Sequence, residues 1–288
     1  MSTDHNGTDH GLDALIPLEI ARKAELIGAQ KTRLDFWRLL VLAILAGAFI
    51  ALGAMFASTV LAGADGVLPF GVSRLLAGTV FCLGLVLVVL GGAELFTGNT
   101  LMVMALASGK VTLKEMLRAW SIVYVGNFIG AVGMAGLVFL AGQYRFGGGS
   151  VGQVALGIAV DKVNLPFTQA LFLGILCNVL VCLAVWLSIG ARTTTDKVLA
   201  VLFPVSAFVV AGFEHSVANM YLVPLGLMIT QAAPAEFWSQ VGAVPSDFPS
   251  LTWLAFFTSL VPVTIGNVIG GSVLVGAVYW FVYLRPSA

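Results

Sequence analysis

One histidine, His215, lies outside the polar N-terminal tail that holds His5 and His10. It sits in AGFEHSVANM, between two strongly apolar stretches, where an imidazole could exchange a proton near neutral pH. A second polar interruption, GGAELFTGNT at 91–100, carries Thr97, a natural facing partner for that ring. The same interruptions hold Glu94 with Asn99 and Glu214 with Asn219. Ionisable groups at membrane depth are functional candidates by default, but a carboxylate that accepts backbone N–H bonds at a helix break also braces it. Glu94, Asn99, Glu214 and Asn219 read as such braces, with Asn127 and Asn267 as bonds between helices, and His215 as a residue with function. Lys162, in AVDKVNLPF, would either draw anions toward a pore mouth or snorkel at an interface.

These residues do not suggest an enzyme. His215 and Glu214 are adjacent, and neighbours on a helix do not face one another. There is no second histidine nearby and no metal-ligand spacing, so neither a metal nor another cofactor is expected. Cys82, Cys177 and Cys182 all lie in apolar runs and read as small packing residues. The formal charge is zero, which offers no field for nucleic acid.

The elements that must position these side chains are membrane helices. Of 288 residues, 59% are hydrophobic and only 10% charged, and mean hydropathy is +1.01. A soluble domain carries about a quarter charged residues. Apolar runs long enough to span a bilayer, about 20 residues, fall near 36–62, 71–91, 115–142, 166–190, 197–229 and 251–284. The second is interrupted by GGAELFTGNT and the fifth by AGFEHSVANM, so six spans are expected, two of them broken. Eleven lysines and arginines fall on one side of this arrangement; Arg74, Arg145 and Lys162 fall on the other. The excess marks the cytoplasmic side and places both termini there. Residues 1–35 are polar and acid-bearing, unlike a signal peptide. Within them, 13–33 shows Ile16, Ile20, Ala24 and Ile27 at helical spacing, an amphipathic helix on the membrane face or on a soluble partner enzyme. Residues 36–285 form the transmembrane domain. The proline- and aromatic-rich 231–250 reads as an external loop with room for a short interfacial helix.

A repeat connects the polar residues. GGAELFTGN and AGFEHSVAN share G-x-E-x4-N, and VGNFIGA (125–131) and IGNVIGG (265–271) share G-N-x-I-G. The first pair falls in spans 2 and 5, the second in spans 3 and 6. Three spans per half make the second half enter the membrane inverted, with broken helices at corresponding positions. Irregular backbone at membrane depth must be buried in protein or line a wet cavity. Helices restarting near Thr97 and Ser216 offer positive dipole ends to an anion, and their hydroxyls could cap those ends. Phe81, Leu85, Leu95, Phe96 and Phe208 would gate the pore as hydrophobic constrictions if they converge on its axis.

At these residues the sequence resembles the formate–nitrite transporter family. The resemblance rests on GGAELFTGN, on GILCNVLVCLAVW (174–186), on GFEHSVANM, on PVTIGNVIGG, and on the spacing from Lys162 through Asn178 to His215. It covers the chain from about residue 15 and lies nearest the formate channel branch. It implies an all-α, aquaporin-like fold, a homopentamer with one pore per protomer, and an inner-membrane location. It also implies passage of formate, with nitrite or hydrosulfide as the alternative. The resemblance gives Lys162 and Asn178 to the anion entrance and Thr97 and His215 to the pore centre. Phe81, Leu85, Leu95, Phe96, Val181 and Phe208 then fall at constrictions. The first break departs from the best-known formate channels in ending Thr97-Gly98-Asn99. On these grounds a bare carboxylate would not cross phenylalanine-lined narrows cheaply, whereas formic acid would, once His215 had supplied or relayed a proton. An aquaporin is disfavoured because no Asn-Pro-Ala occurs at either break.

Overall fold

The computed structural model describes residues 13–286; His5 and His10 lie outside them. The described residues are helical throughout, with no strand. Five helices are long and apolar enough to cross a membrane. They are α2 (Phe36–Leu61), α3 (Phe70–Gly91), α6 (Leu113–Leu140), α8 (Phe167–Gly190) and the continuous Trp253–Tyr283. Between them lie α4 (Phe96–Asn99), a 3₁₀ turn (Thr100–Met102) and α5 (Val103–Ala107), which complete span 2. Span 5 is split into α9 (Thr194–Val210) and α10 (Ser216–Ala232). The last span runs as α12 (Trp253–Val268), a π-helical segment (Ile269–Ala277) and α13 (Val278–Tyr283). The chain is a six-span helical membrane protein built as two inverted three-span halves, with spans 2 and 5 broken.

Local sequence sets the helix starts. Asp35 accepts from the N–H groups of Trp37 and Arg38 to open α2, and Thr112–Glu115 and Thr193–Asp196 form capping boxes for α6 and α9. The two halves pack alike: α2 lies against α3 and α6, and α8 against α9 and α12. Small residues let backbones approach, as membrane helices require. A methyl group on Gly130 would collide with the Ile44 carbonyl of α2, and one on Gly270 with the Ile175 carbonyl of α8.

Two further helices complete the halves. The amphipathic segment is α1 (Pro17–Thr32), with Ile20, Ala21 and Ala24 packed on Met104 and Trp186. Leu15 N–H donates to Gly190 O, so α1 lies by the Gly190 end of α8. At the other end of α8 a 15-residue helix, α7 (Ser150–Asn164), leads into Phe167. Twenty-four residues of α8 separate them, about 36 Å at 1.5 Å per residue. The sequence did not reveal α7: it opens on Gly149 without a side-chain cap and is too short to span. In 231–250, α10 turns by 109° into α11 (Ala235–Val241), which buries Phe237 and Trp238.

Candidate functional site

Each break is built the same way. α3 ends at Gly92 and α9 at Gly212, both left-handed (φ 74° and 71°), where a side chain would strain the backbone. The chain then turns inward, and Glu94 N–H donates to Leu42 O (3.1 Å) while Glu214 N–H donates to Leu173 O (3.3 Å). One asparagine from the third span of each half then fixes the restart. Asn127 Oδ1 accepts from Phe96 N–H (2.9 Å), and its Nδ2 donates to Ala43 O and Glu94 O. Asn267 Oδ1 accepts from Ser216 N–H (2.9 Å), and its Nδ2 donates to Gly174 O and Glu214 O. These side chains do the work expected of the Thr97 and Ser216 hydroxyls, and Ser216 Oγ is buried without a partner.

The carboxylates bind side chains rather than the backbone N–H groups expected for them. Glu94 accepts from Asn99 Nδ2 (2.8 Å) and lies 3.0 Å from Lys31 Nζ of α1, which also donates to Asn99 Oδ1. Glu214 accepts from Asn219 Nδ2 (2.8 Å) and from Lys162 Nζ of α7 (2.5 Å). Lys162 therefore has a counterpart, Lys31, which sequence reasoning passed over. The signal was present: KTRLDF (31–36) and KVNLPF (162–167) share K-x-x-L-x-F.

The centre of the protomer is not duplicated. His215 Nε2 and Thr97 Oγ1 are 3.0 Å apart, both residues almost wholly buried. His215 Nδ1 accepts from Ala218 N–H (3.1 Å) and so carries no proton of its own. In the neutral ring the proton then sits on Nε2 and points at Thr97 Oγ1. The Thr97 hydroxyl accepts that bond and keeps its own hydrogen to donate. Its carbonyl is held by Thr100 Oγ1 (2.6 Å) and Asn178 Nδ2 (3.2 Å).

Two cavities approach this pair from opposite ends. One, about 560 Å³, is lined by Lys162, Glu214 and Arg74 and reaches Phe81, Phe208 and His215. The other, about 250 Å³, is lined by Lys31, Glu94 and Lys197 and reaches Leu85, Leu95 and Gly98. Phe81 and Phe208 meet edge to face at 5.6 Å, and Phe208 stacks on His215 at 6.0 Å. The structure thus brings Phe81, Phe208, Leu85 and Leu95 to the inner ends of the cavities. It does not bring Phe96 there. Phe96 packs against Trp120 and Tyr124 and lines a lateral groove between α6 and α12. Leu95 is extended at the N-cap of α4 and Phe96 is its first helical residue, so the two side chains leave the chain on different sides. Val181 is buried on α8 and lines neither cavity. Asn178 does not join Lys162 at the cavity mouth. It is fully buried and reaches Thr97 O, Thr100 Oγ1 and Asn267 O, a brace behind the first break. Around it the last span opens into its π segment, where a methyl group on Gly271 would collide with Thr100, Asn178 and Cys182. No cluster of metal-ligating residues occurs among the described residues.

Known proteins resemble this chain in sequence and in fold. A sequence profile of formate/nitrite transporters matches residues 18–281. The formate channel FocA of Escherichia coli K12 is 44% identical over 280 residues, 97% of this chain and 98% of that one. The formate channel BtFdhC of Bacillus thuringiensis is 36% identical over 94% of this chain and 97% of that one. A solved pentameric formate channel with formate bound superposes with TM-score 0.83 at 43% identity, covering 87% of this chain and 98% of that one. An FNT family ion channel superposes with TM-score 0.77 at 31% identity, over 93% and 99% of the two chains. With two inverted halves, two breaks and two facing cavities, this chain belongs to the formate/nitrite transporter family.

Proposed function

We propose that the protein passes formate across the inner membrane as a homopentamer, one pathway per protomer, with both termini cytoplasmic. The observation that carries this reading is the pair of cavities that approach a single buried Thr97–His215 contact, one reaching His215 and the other Gly98, behind phenylalanine and leucine narrows. Formate relatives over nearly the full chain support the choice of anion, and the pentameric neighbour supports the assembly. Lys162 lies at one mouth with one of its three ammonium donors committed to Glu214. The two that remain can bond an arriving carboxylate at contact range. Lys31, at the other mouth, is bonded to both Glu94 and Asn99 and has one donor left for the same task.

The narrows are too apolar for a bare carboxylate, since burying an unpaired charge costs many kcal/mol. Desolvation raises the pKa of the entering acid, and the Thr97 hydroxyl is placed to donate to it. Passing a whole proton makes a further demand. Neutral His215 cannot surrender its Nε2 proton without becoming an anion, so a proton must first arrive at Nδ1, and that displaces the Ala218 N–H. The relay therefore runs in at Nδ1, out at Nε2, and through Thr97 to formate, with the cap of α10 opening as it works. Formic acid crosses, and the ring is left neutral with its proton on Nδ1.

Proteoliposome flux across a pH gradient tests this. His215→Asn keeps hydrogen bonding but cannot relay, and His215→Phe removes both. Proton-coupled formate uptake should fall to background in each, with any residual conduction purely anionic. Unchanged proton-coupled uptake in either variant would remove the relay. Nitrite and hydrosulfide run as competitors decide the substrate: formate should saturate the pathway at the lowest concentration of the three.

A further inference from the structure

The two lysines at the mouths are poor long-range attractors, because each is neutralised where it stands. Lys162 is bonded to Glu214 and Lys31 to Glu94. Seen from a distance each is an ion pair, whose field falls off much faster than that of a free charge. Yet each cavity is lined by another cation that sequence reasoning gave no role. Arg74, in the second turn of α3, lines the Lys162 cavity. Its Nη2 donates to Val209 O (2.5 Å) at the end of α9, and its Nε is buried without a partner. Lys197, in the first turn of α9, lines the Lys31 cavity. Among the described residues neither is within ion-pair distance of a carboxylate. α3 and α9 are corresponding segments of the two halves, and each carries one cation near the end where the other breaks, although Arg74 and Lys197 are not opposite one another in the repeat.

Building on the transport reading above, we propose that Arg74 and Lys197 supply the free positive charge that concentrates small anions in the two vestibules. Lys162 and Lys31 serve as contact donors inside. The two mouths are unequal. Asp161, exposed on the rim of the Lys162 cavity, opposes Arg74, whereas Lys23 on the rim of the other reinforces Lys197. The Lys31 vestibule is therefore the stronger concentrator of anions.

The local potential can be read without relying on transport. Cys82, Cys177 and Cys182 are all buried, so an introduced cysteine reports alone. Gln169→Cys on the lining of the Lys162 cavity and Ile27→Cys on that of the Lys31 cavity are labelled with anionic and cationic thiol reagents of similar size. The rate ratio, anionic over cationic, measures the field. Arg74→Gln should lower the ratio at Gln169→Cys by about three- to tenfold at about 10 mM salt, where the Debye length is about 30 Å. It should leave the ratio at Ile27→Cys alone. Lys197→Gln should do the reverse. Both effects should vanish near 1 M salt, where the Debye length is about 3 Å. Arg74→Lys should keep the wild-type ratio, which separates charge from helix packing. In vesicles, each neutral variant should raise the half-saturating formate concentration by a similar factor from its own face only.

Unchanged ratios, or equal loss at both probes, would overturn the assignment whether or not formate passes. Absence of formate flux in the wild type with face-specific ratios intact would instead overturn the transport reading and leave the two anion-concentrating cations standing.

Discussion

The two helix breaks share a scaffold and differ in what they present. Gly92 and Gly212, Glu94 and Glu214, Asn99 and Asn219, Asn127 and Asn267, Lys31 and Lys162 occupy matching places and make matching bonds, save that Lys31 also donates to Asn99 Oδ1 while Asn219 Oδ1 has no partner. In the register that pairs the two glutamates, His215 falls opposite Leu95 and Thr97 opposite Val217. In the register that pairs the two lysines, Asn178, which holds the Thr97 carbonyl, falls opposite Gly47. The bracing is duplicated and the chemistry is not. A duplicated histidine would put two imidazoles at one narrow point, each needing a partner. A duplicated leucine or valine would leave no polar contact at all. One break supplies a hydroxyl and the other a ring, and the single Thr97–His215 bond results.

If the scaffold is truly duplicated, damage to matching braces should cost the two halves alike. The largest effect belongs to the capping asparagines. Asn127→Leu leaves Phe96 N–H and Glu94 O buried without partners, and Asn267→Leu does the same to Ser216 N–H and Glu214 O. At about 1–3 kcal/mol for each orphaned group, either variant should lose about 2 kcal/mol or more. Thermal unfolding in detergent should show two similar and severe losses, and a clear inequality between them would break the equivalence. The next largest belongs to the carboxylates. Glutamine at 94 or 214 still accepts from the asparagine but leaves a lysine without its countercharge. Lys162 is 17% exposed and Lys31 27%. Glu214→Gln should therefore cost about 2 kcal/mol and Glu94→Gln less, since water screens the second lysine better.

Much of this scaffold was legible in the sequence because it is repeated in residue type. G-x-E-x4-N and G-N-x-I-G survive inversion, since the same backbone bonds must be met in both halves. The contact between His215 and Thr97 was legible for the opposite reason: each is a polar exception at the same depth. What stayed hidden depends on tertiary neighbours. The outward turn of Phe96 follows from the aromatic slot made by Trp120 and Tyr124 on another helix. The withdrawal of Asn178 from the cavity mouth depends on where the Thr97 and Asn267 carbonyls lie. The π segment of the last span has no counterpart in α6, although both follow the G-N-x-I-G motif. It forms where Gly271 must clear Thr100, Asn178 and Cys182, three side chains that only the fold assembles. Lys31 was legible through its repeat, but that repeat lies in a segment whose helical spacing points to an amphipathic surface helix rather than to the pore.

The smallest expected effect is the sharpest test of symmetry, because it involves the backbone alone. Gly92→Ala and Gly212→Ala each force an L side chain into the left-handed region, which costs about 1 kcal/mol. A methyl group at Gly92 meets nothing within 4 Å, and one at Gly212 meets only Arg74 Nη2, at an ordinary 3.7 Å. With no collision on either side, the two losses should be equal, and thermal unfolding of the two variants against wild type measures them. Equality would mean that the turns are interchangeable and that the halves diverge only beyond them. A larger loss at Gly212 would mean that the methyl group disturbs the guanidinium bonded to Val209 O. The second break would then be held by Arg74 as well as by its shared braces, and the duplication would end three residue pairs earlier than His215.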